Sequence, residues 1–170
     1  MKNILFCVLV IMLFFSCQRE NEISSVNLEN WEMRKAQLIQ SDSLIHGKTY
    51  LPVYSQIYQL HEKETYDLTV TVSLRNISIK DTIYILRAEY YNTNGEKLRD
   101  YFYNPIYIKP LETVEIVIDE VDKEGGTGGN FIFDWAVKNE KNLPLFEAVM
   151  ISTKGQQGLS FLTKGVRIYD

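Results

Sequence analysis

Chemistry needs nucleophiles, bases, carboxylate pairs or metal ligands at workable spacing, and this chain of 170 residues offers few of them. Its two histidines are His46, in a polar stretch, and His61, in the charged run His61-Glu62-Lys63-Glu64; both are expected to face solvent, where neither can serve as a base positioned against a nucleophile. Ser160 follows Gly158-Leu159 but precedes Phe161, so it lacks the glycine-flanked elbow that exposes a catalytic serine. Two histidines far apart and two cysteines, Cys7 and Cys17, do not provide the spacing of a zinc site. Glu120 to Gly125 opens like a calcium loop, yet the twelfth position, where a bidentate carboxylate is required, is Phe131. No metal, no cofactor and no catalytic residue is therefore expected. The acidic residues that could support hydrolysis are Asp119, Glu120 and Asp134, which flank a glycine-rich segment and would have to converge to within about 5–9 Å in a cleft.

Two segments have the composition of binding loops. Gly125-Gly126-Thr127-Gly128-Gly129-Asn130 could present successive backbone N–H groups to an anion, although it lacks the Lys-Ser/Thr of a phosphate loop and leads into a strand pattern instead of a helix. The alternative for this segment is a hairpin loop whose glycines only permit unusual dihedrals. Gly155-Gln156-Gln157-Gly158 offers amides that donate and accept, suited to sugar hydroxyls or a peptide backbone. The candidate ligand-binding residues are thus Gly126, Thr127, Gly128, Asn130, Gln156, Gln157 and Gly158. Tyr50, Tyr54 and Tyr58 would share one face of an extended segment, as a stacking strip or as ordinary packing.

The elements that must position these residues follow from periodicity. Lys2 precedes an apolar run from Ile4 to Phe15 that would span about 18 Å as a helix, short of a bilayer's hydrocarbon core. Ser16-Cys17 and a polar stretch follow at once, and the whole resembles a bacterial lipoprotein signal in which Cys17 becomes the acylated first residue of the mature chain. In that family a small residue usually stands where Phe15 does. The domain plan is a signal peptide over 1–16, a polar tether with a short helix over 17–48, and a folded domain over 49–170. Cys7 leaves with the signal and Cys17 is used as a thioether, so the mature domain holds no thiol. With 18 basic and 22 acidic residues the net charge is −4, which supplies no positive field for nucleic acid; attachment to a membrane rests on acyl chains.

Beyond Thr49 the pattern has period two. Tyr66, Leu68, Val70, Val72 and Leu74 alternate with polar residues, which predicts one half-buried strand over Tyr66–Arg75. Ile83 to Tyr91 and Lys97 to Tyr103 flank Asn92-Thr93-Asn94-Gly95 as a hairpin, and Pro105 and Pro110 confine Ile106 to Lys109 to an edge. Further strands are expected over Val114–Asp119, Phe131–Val137, Phe146–Ile151, Leu159–Leu162 and Val166–Tyr169. This order predicts an all-β, immunoglobulin-like antiparallel β-sandwich without the Cys-Trp-Cys signature of true immunoglobulin domains.

The segments TYLPVYSQIY, LTVTVSLRN, YYNTNGEKLRDY, GGTGGNFIFDW and EAVMISTKGQQGLSF, in this order from Thr49 to Phe161, resemble the bacterial domain-of-unknown-function 3124 family. The resemblance implies an envelope-located domain and supplies no catalytic residues. The functional expectation is a membrane-anchored module in the cell envelope, facing the periplasm, that binds an envelope protein or a glycan without catalysis. A hydrolase built on Asp119, Glu120 or Asp134 is the alternative, and a structural subunit with an exposed apolar patch or an unpaired edge strand is the third.

Overall fold

A computed structural model describes residues 29–38, 43–153 and 158–169. The described residues form twelve strands: β1 (Ile45–Pro52), β2 (Gln56–Gln59), β3 (His61–Asp67), β4 (Thr69–Arg75), β5 (Ile83–Tyr91), β6 (Lys97–Asp100), β7 (Ile106–Ile108), β8 (Thr113–Ile118), β9 (Asn130–Val137), β10 (Leu145–Ser152), β11 (Leu159–Lys164) and β12 (Val166–Ile168). Short 3₁₀ turns lie at Trp31–Arg34 and Gly126–Gly128. One sheet has the order β12-β1-β9-β5-β6, with β7 on the same side of β5 as β6; the second has the order β11-β10-β4-β8; β2 and β3 make a separate ribbon. Every strand pairing is antiparallel. The two four- and six-stranded sheets pack as the expected all-β sandwich, with Cys-free walls among the described residues.

Alternation decides which side of each strand is buried. Phe131, Phe133, Trp135 and Val137 of β9 and Leu68, Val70, Val72 and Leu74 around β4 are all at or near zero exposure, with Ile116, Ile118, Phe146, Ala148 and Met150 completing the layer from the second sheet. The two sheets meet through an aromatic column: Tyr90 lies 4.8 Å from Phe131, Phe131 5.4 Å from Phe133, and Phe133 4.4 Å from Phe146 of the facing sheet. Each such ring buries 150–250 Å² or so, and the stacking adds about 0.5–1.5 kcal/mol per pair beyond that area, so apolar burial dominates and ring geometry selects the register.

Four details differ from the period-two reading. The first strand begins at Ile45, ahead of Thr49, and carries His46 on its exposed side, because β1 has a full-length partner in β9 from Ile45↔Val137 to Pro52↔Asn130. Residues 29–36 of the polar segment dock on the sandwich: the Trp31 ring lies 5.1 Å from Phe102, the Ala36 amide donates to the Pro105 carbonyl at 2.7 Å, and Arg34 pairs with Glu112 at 2.9 Å. The expected single strand over Tyr66–Arg75 is divided at Leu68, whose amide donates to the Ser55 carbonyl at 2.9 Å, since the chain there leaves the β2–β3 ribbon and enters the second sheet. Finally, Tyr50, Tyr54 and Tyr58 form no common strip, for β1 ends at Pro52 and Tyr54 turns onto Phe161 at 5.8 Å while Tyr58 stands exposed on β2. His61 opens β3 and accepts a bond from the Lys63 amide.

Phe133 contacts both neighbours of the column, so Phe133→Ala is expected to lower the unfolding free energy by about 3–5 kcal/mol, read as a drop in urea midpoint at unchanged slope. A loss below about 1 kcal/mol would show that the column does not hold the sheets together.

Candidate functional site

The glycine-rich segment sits at one end of the sandwich, between β8 and β9, and its local geometry is set by what lies beneath it. A Cβ on Gly125 would come within 1.8 Å of the Tyr90 hydroxyl, so only glycine allows the chain to cross this ring. Gly126 takes φ +67, a left-handed conformation that side chains disfavour. The turn is then tied down. The Thr93 hydroxyl donates to the Gly125 carbonyl at 3.0 Å and accepts from the Gly128 amide at 2.9 Å, the Thr93 amide donates to Gly125, and the Ser55 amide and hydroxyl both reach the Gly126 carbonyl at 3.2 Å. The Gly126 amide donates to Lys123. Two amides of the expected anion nest, at Gly126 and Gly128, are thus spent inside the protein. Thr127 rides half-buried on the 3₁₀ turn, and Asn130 enters the sheet opposite Tyr91 and Pro52. Gln156 and Gln157 lie outside the described residues, and Gly158 immediately precedes β11.

Beneath the turn, Asp122 is fully buried and receives Arg99 at 2.7 Å, while Glu124, more exposed, takes the same guanidinium nitrogen at 2.9 Å. Burying a carboxylate is costly unless it is paired and hydrogen-bonded, and this pair supplies both while binding the β8–β9 connection to β6. Burial, with the negative charge of Asp122 nearby, pushes the Tyr90 phenol up to about 12; burial raises the Tyr101 phenol as well.

The three carboxylates of the hydrolytic alternative do not come together. Asp119 follows β8 and accepts a bond from the Val121 amide at 3.1 Å, and Glu120 adjoins it. Asp134 lies four residues along β9 from Asn130, roughly 13 Å from that end at strand rise. It accepts from Arg87 Nε at 2.8 Å, within an ion-pair network in which Glu89 joins Arg87 and Lys97. The hydrogen bond from Arg87 to Asp134 holds that guanidinium raised above its usual range. No group of three or more His, Cys, Asp or Glu that could hold a metal occurs among the described residues.

Asp134 instead lines a cavity of about 320 Å³ at the β12 edge of the first sheet, together with His46, Lys48, Trp135, Arg167 and Tyr169. Trp135 fits there because β1 has Gly47 opposite it: a Cβ at that position would meet the indole at 2.3 Å. The indole N–H donates to Thr49 Oγ1 at 2.9 Å and fixes the ring. Thr49 pairs with Arg167 of β12, whose guanidinium carbon lies 5.2 Å from the centre of Trp135 and 5.0 Å from that of Tyr169. Arg167 Nε and Asp134 Oδ1 are both buried without a hydrogen-bond partner. Sequence reasoning missed Arg167, Tyr169 and Lys48; the one signal was Gly47, a glycine inside what proves to be a strand, which marks a close approach.

On comparison with known proteins, the family described as Protein of unknown function (DUF3124) matches residues 46–168 of this chain. No curated protein matches it. A solved structure titled Crystal Structure of Thermotoga maritima 1070 is similar at a TM-score of 0.45 and 7% identity, covering 71% of this chain and 92% of that one.

Two outcomes are expected from the loop and what it covers. Gly125→Ala should cost about 1–3 kcal/mol of stability through overpacking against Tyr90; a neutral result in thermal unfolding would contradict the close fit. The phenol of Tyr90 is raised in the folded state, so its contribution is complete below the unfolded value of 10.0 and is lost as pH climbs toward about 12. Melting temperature should fall across that window, and less steeply in Tyr90→Phe; identical slopes would refute the assignment.

Proposed function

The chain belongs to the DUF3124 family, whose description carries no activity, and from that starting point we propose that the protein is an exported bacterial lipoprotein, acylated at Cys17 and facing the periplasm, whose β-sandwich is a non-catalytic binding module for an envelope component. The observation that carries the binding half is the cavity of about 320 Å³ at the β12 edge, whose lining brings the charged residues Lys48, Asp134 and Arg167 together with the aromatic residues Trp135 and Tyr169, the makeup of a small-ligand site. Asp134 serves this reading better than a hydrolytic one, because one of its oxygens is engaged by Arg87. Ligand capture, expected at Gly126, Thr127, Gly128 and Asn130, is assigned here to the cavity instead, on the ground that Thr93 and Lys123 already use loop amides.

The anchoring half rests on Lys2, the apolar run Ile4 to Phe15 and the Ser16-Cys17 junction, all of which lie outside the described residues. Among the described residues no helix is long and apolar enough to cross a membrane. Attachment in this reading rests on acyl chains at Cys17, more than one of which gives a lasting anchor. Docking of Trp31 and Arg34 would start the sandwich close behind the tether.

The test has two arms in cells expressing the tagged full chain. Cys17→Ser should move the protein from the membrane fraction to the soluble fraction, and unchanged association would remove the lipoprotein reading. In-cell crosslinking should capture a discrete envelope species that is lost in Arg167→Ala and kept in Thr127→Ala; the reverse pattern would return the site to the glycine-rich loop.

A further inference from the structure

Resting on the reading of Cys17 as the acylated residue, we propose that the end of the sandwich opposite the glycine-rich loop lies on the anionic phospholipid surface of the membrane that holds the anchor. Ile77, Ile79 and Leu111 enter the headgroup layer there, and the lysines around them face lipid phosphates. Ordinary burial is inverted at this end. In Asn76-Ile77-Ser78-Ile79, just beyond β4, the two polar residues are at most 2% exposed, while Ile77 is 48% and Ile79 72% exposed. Buried polar groups beside exposed aliphatics are the reverse of what water selects, and they mark a surface with another neighbour.

Hydrogen bonds build the inversion. The Asn76 side chain donates to the carbonyls of Asp81 at 2.8 Å and Ile108 at 3.0 Å and accepts from the Ser78 amide at 2.9 Å, and the Ser78 hydroxyl accepts from the Asp81 amide at 2.9 Å. With Asn76 and Ser78 turned inward to satisfy the backbone of this connection, the isoleucines that alternate with them are left outside. Leu111 joins them from the β7–β8 turn. Its amide donates to the Ser78 carbonyl at 3.1 Å, it takes φ +60, and it is 68% exposed. A leucine in a left-handed turn position, where glycine or asparagine is favoured, carries a conformational and a solvation cost in water, and a lipid interface removes the second.

Charge is segregated to match. β9 starts beside the glycine-rich loop at Asn130 and ends at Val137, and at that far end the β4–β5, β7–β8 and β9–β10 connections all cross from one sheet to the other. They carry the exposed Lys80, Lys109, Lys138 and Lys141 against Asp81 and Glu140, and the further carboxylate there, Glu112, is engaged by Arg34. At the glycine-rich end, among the described residues, Arg99 and Lys123 are paired with Asp122 and Asp67, and Glu96, Asp119 and Glu120 add further negative charge. A chain with a net charge of −4 thus presents a basic, apolar end and an acidic one, and an anionic surface attracts the first and repels the second. The chain also enters the domain on the basic side: Glu29, the first described residue, and Glu112 both take the Arg34 guanidinium at 2.9 Å. From Cys17 to Glu29 the chain reaches at most about 40 Å, so the Leu111 turn is held near the bilayer. The acyl chains attach the protein, and this end orients it.

The experiment uses the full chain, purified in detergent from the membranes of expressing cells and reconstituted into vesicles of brominated phosphatidylcholine, alone or equimolar with brominated phosphatidylglycerol. Flotation reports the anchor, and tryptophan quenching reports which end meets lipid. In the anionic vesicles Ile79→Trp should be quenched about twofold more than Asn94→Trp, at the turn of the opposite end, over the Trp31 and Trp135 background that both variants share. Raised salt, or Lys80→Gln combined with Lys109→Gln, should remove that excess, with near-UV circular dichroism confirming that each variant is folded. A protein that floats yet is quenched equally at the two ends, or whose excess persists without phosphatidylglycerol, overturns the inference and leaves the anchor standing; one that fails to float overturns both. Emission of Ile79→Trp that shifts with protein concentration in detergent, without lipid, assigns the patch to a second copy of the chain and overturns the inference as well.

Discussion

Both sheets are arranged around the aromatic face of β9, because its rings are too large to be buried without a matching surface opposite. Phe131, Phe133 and Trp135 project from one side of a single strand, and each is at most 1% exposed. Three large rings on alternate residues require a facing sheet with room for them, and Phe146, Ala148 and Met150 of β10 supply one large and two smaller partners. The neighbours in the same sheet yield space in turn: Gly47 opposite Trp135, and Gly125 over Tyr90, which stacks on Phe131. A packed interior at crystal-like density punishes both gaps and excess atoms, so a chain without a disulfide among its described residues can hold two sheets in one register by this fit.

The same fit explains why the two ends of the molecule differ. At the glycine-rich end, Thr93, Ser55 and the Arg99–Asp122 pair, whose carboxylate is buried, close the turn onto Tyr90 and Tyr101, so that backbone groups which looked available to a ligand hold the loop instead. A buried ion pair of this kind adds little net stability, since desolvation offsets most of the attraction, but loss of either partner would leave an uncompensated charge. At the β12 edge the packing is less complete. Trp135 fills the hollow over Gly47, the Arg167 guanidinium lies between its ring and that of the exposed Tyr169, and a cavity opens beside them. The glycine-rich turn is tied to the core through its own backbone, and the cavity opens at a sheet edge.

Much of this was legible in the sequence and some was beyond its reach. Strands follow from side-chain alternation, a local property: Leu68, Val70, Val72 and Leu74 bury one face wherever the strand happens to sit, and Asn92 to Gly95 turn the chain because the Asn92 side chain accepts the Asn94 and Glu96 amides while Gly95 takes φ +77. Pro105 kept β7 at an edge for an equally local reason. The class of fold and the strands that flank each turn are therefore contained in short windows of residues. Pairing between distant strands is not local. Thr49 meets Arg167 and Lys48 meets Asp134 only because β1 lies between β12 and β9, and the partner change at Leu68 and the docking of Trp31 on Phe102 likewise depend on surfaces made elsewhere in the chain. Which residues face inward and where the chain must turn are written in short windows of sequence; which side chains meet across the sheet, as Arg167 meets Trp135 over Gly47, was decided by tertiary structure alone, since the order of strands in a sheet is set by the joint burial of all of them.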